Sequence, residues 1–263
     1  MRKIGIKEIK LVQLSILSEV ASFCDRNEIK YWLDGGTLIG AVRHKGYIPW
    51  DDDIDIGMLR ADYIKFSNLF NAANKQYRFI SCELGSSPFP YGKVIDSNTV
   101  LYEPDENGFK TSINIDIFPY DDAPCDEKEI KRLFDKRDRY LKLYVLQEGL
   151  ITPNKTWKKL IKKISKVILS VIPKGYFAKK EVENAGSYNG RGCSLVGNFC
   201  GVTRAICDKT ISDETIDAVF EGKFFKIPKR YHEWLTTFYG DYMTLPPEEE
   251  RVNHGTSVAF VLE

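Results

Sequence analysis

The chain has 263 residues, with Lys+Arg 38 against Asp+Glu 37 and a formal net charge of +1. This length is sufficient for one large domain or two small ones with a proper core. Proteins that wrap nucleic acid usually carry a clear basic excess, so the balanced charge gives no support for a nucleic-acid partner. Charged residues interrupt positions 1–27, and no run approaches the roughly 20 apolar residues of a membrane-spanning helix. We therefore expect a cytoplasmic protein that does not bind nucleic acid.

The six cysteines form no CxxC pair. In a cytoplasmic protein, such residues are usually reduced thiols. The even spacing of Cys193, Cys200 and Cys207 raises the alternative of a zinc site, but metal knuckles use shorter gaps and no His completes the set. We interpret the cysteines as small buried hydrophobic residues.

The first half of the chain carries alternating helix and strand patterns. Apolar residues recur at helical spacing over 6–26, and the short apolar segment 29–33 stops at a glycine turn, which is typical of a strand. Alternation with period two predicts strands over 53–58 and 112–118. The other expected elements are helices over 38–44 and 60–73 and short strands over 77–82 and 93–103.

The second half is predicted to be mostly helical. Asp126 to Gln147 is a long charged pattern with one apolar stripe, and Gly149 is its stop signal. A further helix is expected over 231–239. This order of elements is typical of the α+β class.

A run of carboxylates, Asp51-Asp52-Asp53-Ile54-Asp55, carries the strongest chemical signal. Four carboxylates in five positions repel one another unless a cation neutralises them. On a strand, Asp53 and Asp55 would project from the same face, about 7 Å apart. Joined by Asp116 from a neighbouring strand, these oxygen ligands suit one or two Mg²⁺ ions that hold phosphate oxygens.

A solvated acidic loop and a calcium-binding loop are the two other interpretations of this run. A solvated acidic loop is the usual context of such a charge run, but the apolar alternation of Ile54, Ile56 and Met58 indicates that one face is buried. A calcium loop requires Gly at its sixth position and Glu at its twelfth. Counted from Asp51, those positions are Ile56 and Asp62, so the calcium pattern does not fit.

Gly35-Gly36 lies between a predicted strand and a predicted helix, ahead of the acidic run. Glycines at such a turn let backbone N–H groups approach a phosphate at a helix N-terminus. Thr37 is in position to cap the helix. The cations at the far end of that helix are Arg43, His44 and Lys45. They are either ordinary C-terminal cations or, as we favour, groups that neutralise a diphosphate or triphosphate.

Three segments occur in an order that resembles the LicD family, which includes the fukutin-related enzymes. The segments are YWLDGGTLIGAVRHKGYIPWDDDIDIGM (31–58), NIDIFPYD (114–121) and YGDYMTLPPEEERVNH (239–254). The resemblance implies an α+β, nucleotidyltransferase-like mixed-sheet core flanked by helices, over 1–122. A mostly helical acceptor-binding lobe would follow over 123–263.

The same resemblance implies the residues of an active site. Gly35-Gly36, the Asp53/Asp55 pair and Asp116 match the family's active-site elements, and Asp51 matches a further acidic position. Two residues fall in the family's C-terminal basic motif, where contacts to phosphate or sugar are implied. These are Arg251 and His254.

The implied activity is a Mg²⁺-dependent transfer of phosphorylcholine from CDP-choline to a sugar hydroxyl of a teichoic-acid, capsule or glycolipid precursor. Relatives transfer other phosphoryl-alcohols, including ribitol phosphate, so the identity of the alcohol stays open. One alternative is a true nucleotidyltransferase that adds NMP to a small molecule through the same carboxylates. A second is a non-catalytic, metal-dependent glycan-binding module, which the glycine turn and Arg43 disfavour.

Residues 157–172 carry an apolar face with Trp157 at one end and an opposite face of lysines. A basic amphipathic helix of this kind can lie on an anionic membrane surface. That contact would bring the protein to the inner face of the membrane, close to a lipid-linked acceptor. The alternative is a surface helix packed on the core with its lysines in water, which we favour slightly.

Overall fold

A computed structural model of the protein describes residues 1–102, 110–148, 169, 171–201, 203–251 and 258–262. The helices of these ranges are α1 (Ile6–Arg26), α2 (Gly35–Ile39), α3 (Arg60–Ala73), α4 (Glu127–Glu148), α5 (Tyr176–Ala185) and α6 (Tyr231–Tyr239), and a π-helical turn, Gly40–His44, continues α2. The strands are β1 (Arg2–Ile4), β2 (Trp32–Leu33), β3 (Asp55–Leu59), β4 (Tyr77–Ile80), β5 (Gly92–Asp96), β6 (Thr99–Tyr102), β7 (Lys110–Thr111), β8 (Asn114–Ala123), β9 (Leu195–Gly197), β10 (Ile206–Asp208), β11 (Thr215–Phe220), β12 (Lys223–Pro228) and β13 (Val258–Val261).

A mixed sheet forms the centre of the fold. Within the described ranges it has seven strands, in the order β10-β9-β8-β3-β2, and β5 also pairs with β8 and brings β4 with it. The β3–β8 pair is parallel, whereas the other pairs of this sheet are antiparallel. Because β8 is long, its first residues pair with β5 and its last with β9. The predicted α+β class with a mixed sheet is confirmed.

Smaller sheets bring together distant parts of the chain. β1, β13, β6 and β7 form a sheet that joins the first and last described strands, and β11 and β12 form a hairpin. The second half therefore contributes strands β9–β13 as well as its helices. β8 crosses residue 122, and the central sheet uses strands from both sides of it. The separation into a catalytic core over 1–122 and an acceptor-binding lobe over 123–263 stays a prediction.

The main core packs α1 and α3 against the central sheet. The apolar stripe expected on α1 is confirmed, since Leu14, Leu17, Ala21 and Cys24 are all buried. Cys82, Cys200 and Cys207 are buried too, as predicted, whereas Cys193 is half-buried and Cys125 exposed. Burial raises the pKa of the Cys24 and Cys82 thiols, to about 12 for Cys82, which suits unreactive core residues.

Several element bounds differ from the sequence expectation. The strand expected over 93–103 is two strands, β5 and β6, which turn at residues 97–98 and join different sheets. Thr37 does not cap the helix that follows the glycine turn. Because Gly35 adopts a positive φ of 54°, the chain turns directly into α2, and Asp34 is the N-cap residue.

The sequence offers membrane contact as one interpretation of residues 157–172. In the part of the chain that the structure describes, no helix combines the length and apolarity needed to cross a bilayer. The amphipathic helix expected over 157–172 lies outside the described residues, apart from Leu169, Val171 and Ile172.

Candidate active site

The parallel pairing of β3 and β8 brings two of the predicted acidic residues side by side. Asp55, the first residue of β3, is the register partner of Asp116 on β8. Partners in adjacent strands point to the same face of a sheet. The backbone N–H of Asp116 donates to the carbonyl of Ile54 at 2.8 Å, which anchors this end of the pair. The strand alternation visible in the sequence therefore leads to a shared carboxylate face.

Asp51 and Asp53 join this face from the loop that precedes β3. We call Asp51, Asp53, Asp55 and Asp116 the carboxylate cluster. Burial and the charges of Asp53 and Asp116 raise the pKa of Asp55 well above the ordinary carboxyl range. Burial, Asp51 and Asp116 raise the pKa of Asp53 to about 8. Because Asp53 keeps exposed surface, we attribute most of its shift to the neighbouring charges.

The glycine turn lies directly beneath two of these carboxylates. A Cβ atom on Gly35 would come within 2.7 Å of Asp55 Oδ2, and one on Gly36 within 2.5 Å of Asp51 Oδ2. A side chain at either position would therefore push a carboxylate out of place, and at Gly35 it would also be strained by the positive φ. Phosphate binding by this turn stays a prediction. The structure shows that the turn packs against the carboxylates of Asp55 and Asp51, which the sequence did not predict.

Thr37 helps to hold Asp55 in place. Its hydroxyl accepts a hydrogen bond from the backbone N–H of Asp55 at 2.8 Å, and the residue is 3% exposed. Asp55 also accepts at its carbonyl from the Asp34 N–H at 3.0 Å. The start of β3 is thus fixed to the glycine turn through both backbone groups of Asp55.

Helix α1 supports the acidic loop from the other side. Gln13, 6% exposed, donates to the carbonyl of Asp52 at 2.9 Å. Lys10 donates to the carbonyl of Asp51 at 2.6 Å and lies over the Tyr47 ring. These bonds fix the backbone of the loop that carries Asp51 and Asp53.

Asp34 is a buried acid behind the glycine turn. Its carboxylate accepts from the Tyr120 hydroxyl at 2.6 Å and from the Trp234 indole at 3.2 Å. Burial raises the pKa of Asp34, although both hydrogen bonds act in the opposite direction. Burial and the charges of Asp34 and Asp55 raise the pKa of the nearby Tyr239 hydroxyl. Helix α6 therefore reaches the site from the C-terminal half.

Lys93 is a cation within the sheet itself. It is 9% exposed and is the β5 register partner of Asp116. Its Nζ donates to Asp116 Oδ1 at 2.6 Å and to Asn114 Oδ1 at 3.2 Å. Asp55, Asp116 and Lys93 thus form a row across three adjacent strands.

The predicted cations that follow the glycine turn separate into two groups. Arg43 donates to the Tyr242 carbonyl at 2.6 Å and to His44 Nε2 at 2.9 Å, and burial lowers the pKa of both side chains. Lys45 turns toward the β11–β12 hairpin, where its carbonyl accepts from the Glu221 N–H at 3.0 Å. Arg43 thereby ties the C-terminal segment to the site, and phosphate binding by these residues stays a prediction.

Arg251 reaches the acidic loop from the C-terminal motif. Its guanidinium lies 5.2 Å from the ring centroid of Trp50, the residue before Asp51, and its Nε donates to the Pro246 carbonyl at 2.8 Å. The phosphate or sugar contact implied for Arg251 stays a prediction. His254 lies outside the described residues.

The donor set of the carboxylate cluster fits a divalent cation. Carboxylate oxygens are the ligands that Mg²⁺ prefers, and the raised pKa values of Asp53 and Asp55 indicate like charge that a cation would relieve. Over the described ranges, no three His, Cys, Asp or Glu side chains are already grouped as ligands of one ion. The three-carboxylate magnesium site therefore stays a prediction.

Comparison with known proteins gives two findings that bear on this site. A family model described as "LicD/FKTN/FKRP, nucleotidyltransferase domain" matches residues 28–153. Over 273 aligned residues, which span the whole of both chains, the protein is 35% identical to the lipopolysaccharide cholinephosphotransferase LicD of Haemophilus influenzae. The chain belongs to the LicD family. The resemblance seen in the three sequence segments is confirmed.

Other similar proteins match shorter parts of this LicD family member. The mouse ribitol 5-phosphate transferase FKRP is 30% identical over 92 residues, which are 35% of this chain and 17% of the mouse protein. An uncharacterized protein of Rickettsia prowazekii, RP689, is 45% identical over 65 residues, 25% of this chain and 24% of that protein.

Four residues around the carboxylate cluster were missed from the sequence. Lys93 begins the predicted strand 93–103 and is followed by Val94 and Ile95, which is an unusual place for a solvated lysine and was the available signal. Gln13 is a polar residue inside the apolar stripe of α1, and Asp34 directly precedes the glycine turn. Tyr239 lies in the third quoted segment, but nothing in that segment indicates that the charges of Asp34 and Asp55 act on its hydroxyl.

Proposed function

We propose that this protein is a Mg²⁺-dependent phosphotransferase that moves phosphorylcholine, or a related phosphoryl-alcohol, from a CDP-activated donor to a sugar hydroxyl. The acceptor is a precursor of teichoic acid, capsule or glycolipid. In the reaction, the acceptor oxygen forms a bond to the distal phosphorus of the donor, the bond from that phosphorus to the bridging oxygen breaks, and CMP leaves.

The observation that carries this proposal is the parallel register of Asp55 and Asp116 above the glycine turn. It joins two acids from separate sequence motifs on one face, next to Asp53. Membership of the LicD family supports phosphoryl transfer, since its similar members are named as cholinephosphate and ribitol phosphate transferases. Both named activities transfer a phosphoryl-linked alcohol.

The chain's own residues have separable tasks. Asp53, Asp55 and Asp116 would hold Mg²⁺, which supplies charge neutralisation for the donor's diphosphate when bound. Thr37 and the Asp34 N–H fix the backbone of Asp55 in place, which limits the movement needed before the reaction. Either Asp51 or Asp116 accepts the proton of the attacking hydroxyl.

Product analysis tests the reaction type. Purified protein is incubated with CDP-choline, Mg²⁺ and a glycan acceptor, and the products are separated by mass. We expect CMP to be released and the acceptor to gain phosphorylcholine. An acceptor that carries a nucleoside monophosphate instead, with pyrophosphate released from a nucleoside triphosphate, would establish the true nucleotidyltransferase. Binding of glycan with no turnover of any donor would favour a binding module.

Donor identity is tested by thermal shift. CDP-choline, CDP-ethanolamine, CDP-glycerol and CDP-ribitol are compared with Mg²⁺ present, because a ligand that binds only the folded state raises the melting temperature. CMP alone is the control for the nucleotide portion. We expect the largest rise with CDP-choline, and a larger rise with another donor would reassign the alcohol.

A lipid-linked acceptor would bring the reaction to the inner face of the membrane. The basic amphipathic pattern over 157–172 supports this location on sequence grounds. Vesicle flotation with anionic lipids tests it, with Lys→Glu changes at Lys159 and Lys163 as the variants. Absence of binding, or binding that ignores these changes, would remove the membrane contact and leave the transferase proposal intact.

A further inference from the structure

Lys93 is held rigidly by groups on three sides. Its Nζ bonds Asp116 Oδ1 at 2.6 Å and Asn114 Oδ1 at 3.2 Å. The rings of Phe89 and Tyr91 lie on the ammonium with centroids at 4.8 and 5.3 Å. Only 11% of the side chain is exposed. The ammonium is therefore fixed next to the carboxylate cluster, whereas the ammonium of a surface lysine moves in solvent.

An interior lysine is costly unless opposite charge compensates it. Here the compensation is Asp116, which also faces Asp55 across the β3–β8 pair. The register places Lys93 on the opposite side of Asp116 from Asp55. One carboxylate therefore lies between a fixed ammonium on β5 and the remaining acids of the cluster.

We propose that Lys93 fills one of the two cation positions of the carboxylate cluster, so that the cluster takes a single divalent ion on its Asp53–Asp55 side. Two-ion sites use paired cations to neutralise shared carboxylates and phosphate oxygens. A lysine ammonium is a compact point charge and can supply one of those charges permanently. Lys93 is thus a positioning residue that acts through Asp116, and this inference rests on the proposed function.

Ion stoichiometry tests the inference without any measurement of turnover. Metal-free protein is titrated with Mn²⁺, and the free ion is followed by electron paramagnetic resonance. We expect about one ion per wild-type chain, about two for Lys93→Met, and about one for Lys93→Arg, which keeps the charge. Lys93→Gln, which keeps a hydrogen-bond donor without the charge, replaces Lys93→Met if the apolar variant does not fold.

Melting temperature provides a second readout. Without Lys93 the carboxylates lack their fixed cation, so added Mn²⁺ should raise the melting temperature of Lys93→Met by several degrees more than that of the wild type. The matched control is Arg60→Met, which removes the partner of another buried acid, Asp121, outside the cluster. Its loss of melting temperature should be the same with and without Mn²⁺.

The outcomes separate this inference from the proposed function. Two ions on the wild type, or one ion on both the wild type and the charge-removing variant, would overturn the role of Lys93 while leaving a metal-dependent transferase. No Mn²⁺ binding to any variant would overturn both the role of Lys93 and the magnesium site of the proposed function. One ion on the wild type and two on the variant would support both.

Discussion

The two ends of β8 carry acids in opposite electrostatic situations. At its beginning, Asp116 shares a face with Asp53 and Asp55, and each of the latter two has a raised pKa. Toward its end, Asp121 is fully buried and accepts two bonds from Arg60 at 2.7 Å each. Asp122 next to it pairs with Lys209 at 2.6 Å.

The difference separates acids that stabilise the fold from acids that we propose bind a ligand. At the end of β8, each carboxylate has its own cation, and Asn189 adds a further bond to Asp121 at 2.6 Å. At the beginning, like charges are gathered more densely than the local cations compensate. A fold retains such repulsion only if something else is gained, and binding of a cation and an anionic substrate is the usual gain.

The largest expected effect is that of Asp55→Asn. The change preserves shape, so the fold should survive, while turnover falls by at least about 10³-fold because the proposed ion loses a ligand. The metal-free melting temperature should rise by about 2–4 °C, since like-charge repulsion is relieved. Turnover is measured by CMP release and melting by circular dichroism.

The matched control for this variant is Asp217→Asn. Asp217 lies on the exposed face of the hairpin, paired with Lys226 at 2.9 Å, and its change should leave turnover and melting unchanged. If Asp55→Asn keeps turnover within about tenfold of the wild type, the carboxylate cluster beside the beginning of β8 has no catalytic role. The contrast with Asp121 at the end of β8 then fails.

Arg60→Met should lower the stability of the fold, in contrast to Asp55→Asn. Removing the guanidinium leaves Asp121 buried without its charge partner, and breaking a buried pair costs about 3–5 kcal/mol in the free energy of unfolding. Urea unfolding with and without Mg²⁺ measures this loss, which should be the same in both conditions. A loss that Mg²⁺ repairs would mean that Asp121 belongs to a cation site as well.

Glu181 is a buried acid with a raised pKa that lies outside the carboxylate cluster. Among the described residues, neither of its carboxylate oxygens has a hydrogen-bond partner, and burial raises its pKa to about 8. Between the ordinary carboxyl range and about pH 8, the folded protein keeps a proton that the unfolded chain releases. Folding stability should therefore fall as pH rises through this window, by up to about 1.4 kcal/mol per pH unit.

Glu181→Gln should remove this part of the slope and keep turnover. The free energy of unfolding is measured at intervals from pH 5 to 9 for the wild type, for Glu181→Gln and for Glu183→Gln. Glu183 lies on the same helix and pairs with Lys180 at its surface, so its change should leave the slope intact. Identical slopes in all three proteins would contradict a buried proton on Glu181.

The smallest expected effect concerns the support of Asp55. Thr37→Val removes the hydroxyl that accepts from the Asp55 N–H, which should cost about 1–2 kcal/mol in the free energy of unfolding and about tenfold in turnover. Thr37→Ser restores the hydroxyl and should recover both. If serine does not recover turnover, the hydrogen bond is not what positions Asp55.

The sequence was sufficient for the main helices and strands of the first half and for the acidic motif, but it did not predict the individual strands β9–β13. Period two over 53–58 and 112–118 predicted β3 and β8 with their carboxylate faces, and helical spacing predicted α1 and α3, because these patterns reflect local geometry. It was insufficient at the glycine turn. There, α2 begins at Gly35, which has a positive φ, and not after Thr37. The Thr37 hydroxyl accepts from the Asp55 N–H instead of capping the helix.

By itself, the amino-acid sequence determined which residues carry charge, which strands present them and which family the chain belongs to. Only the tertiary structure decided that Lys93 and Asp116 are register partners, that α1 holds the acidic loop, and that Tyr120 and Trp234 bury Asp34. Strand pairing and burial join residues that are far apart in the chain. A local periodicity does not specify which distant residue a given residue will contact.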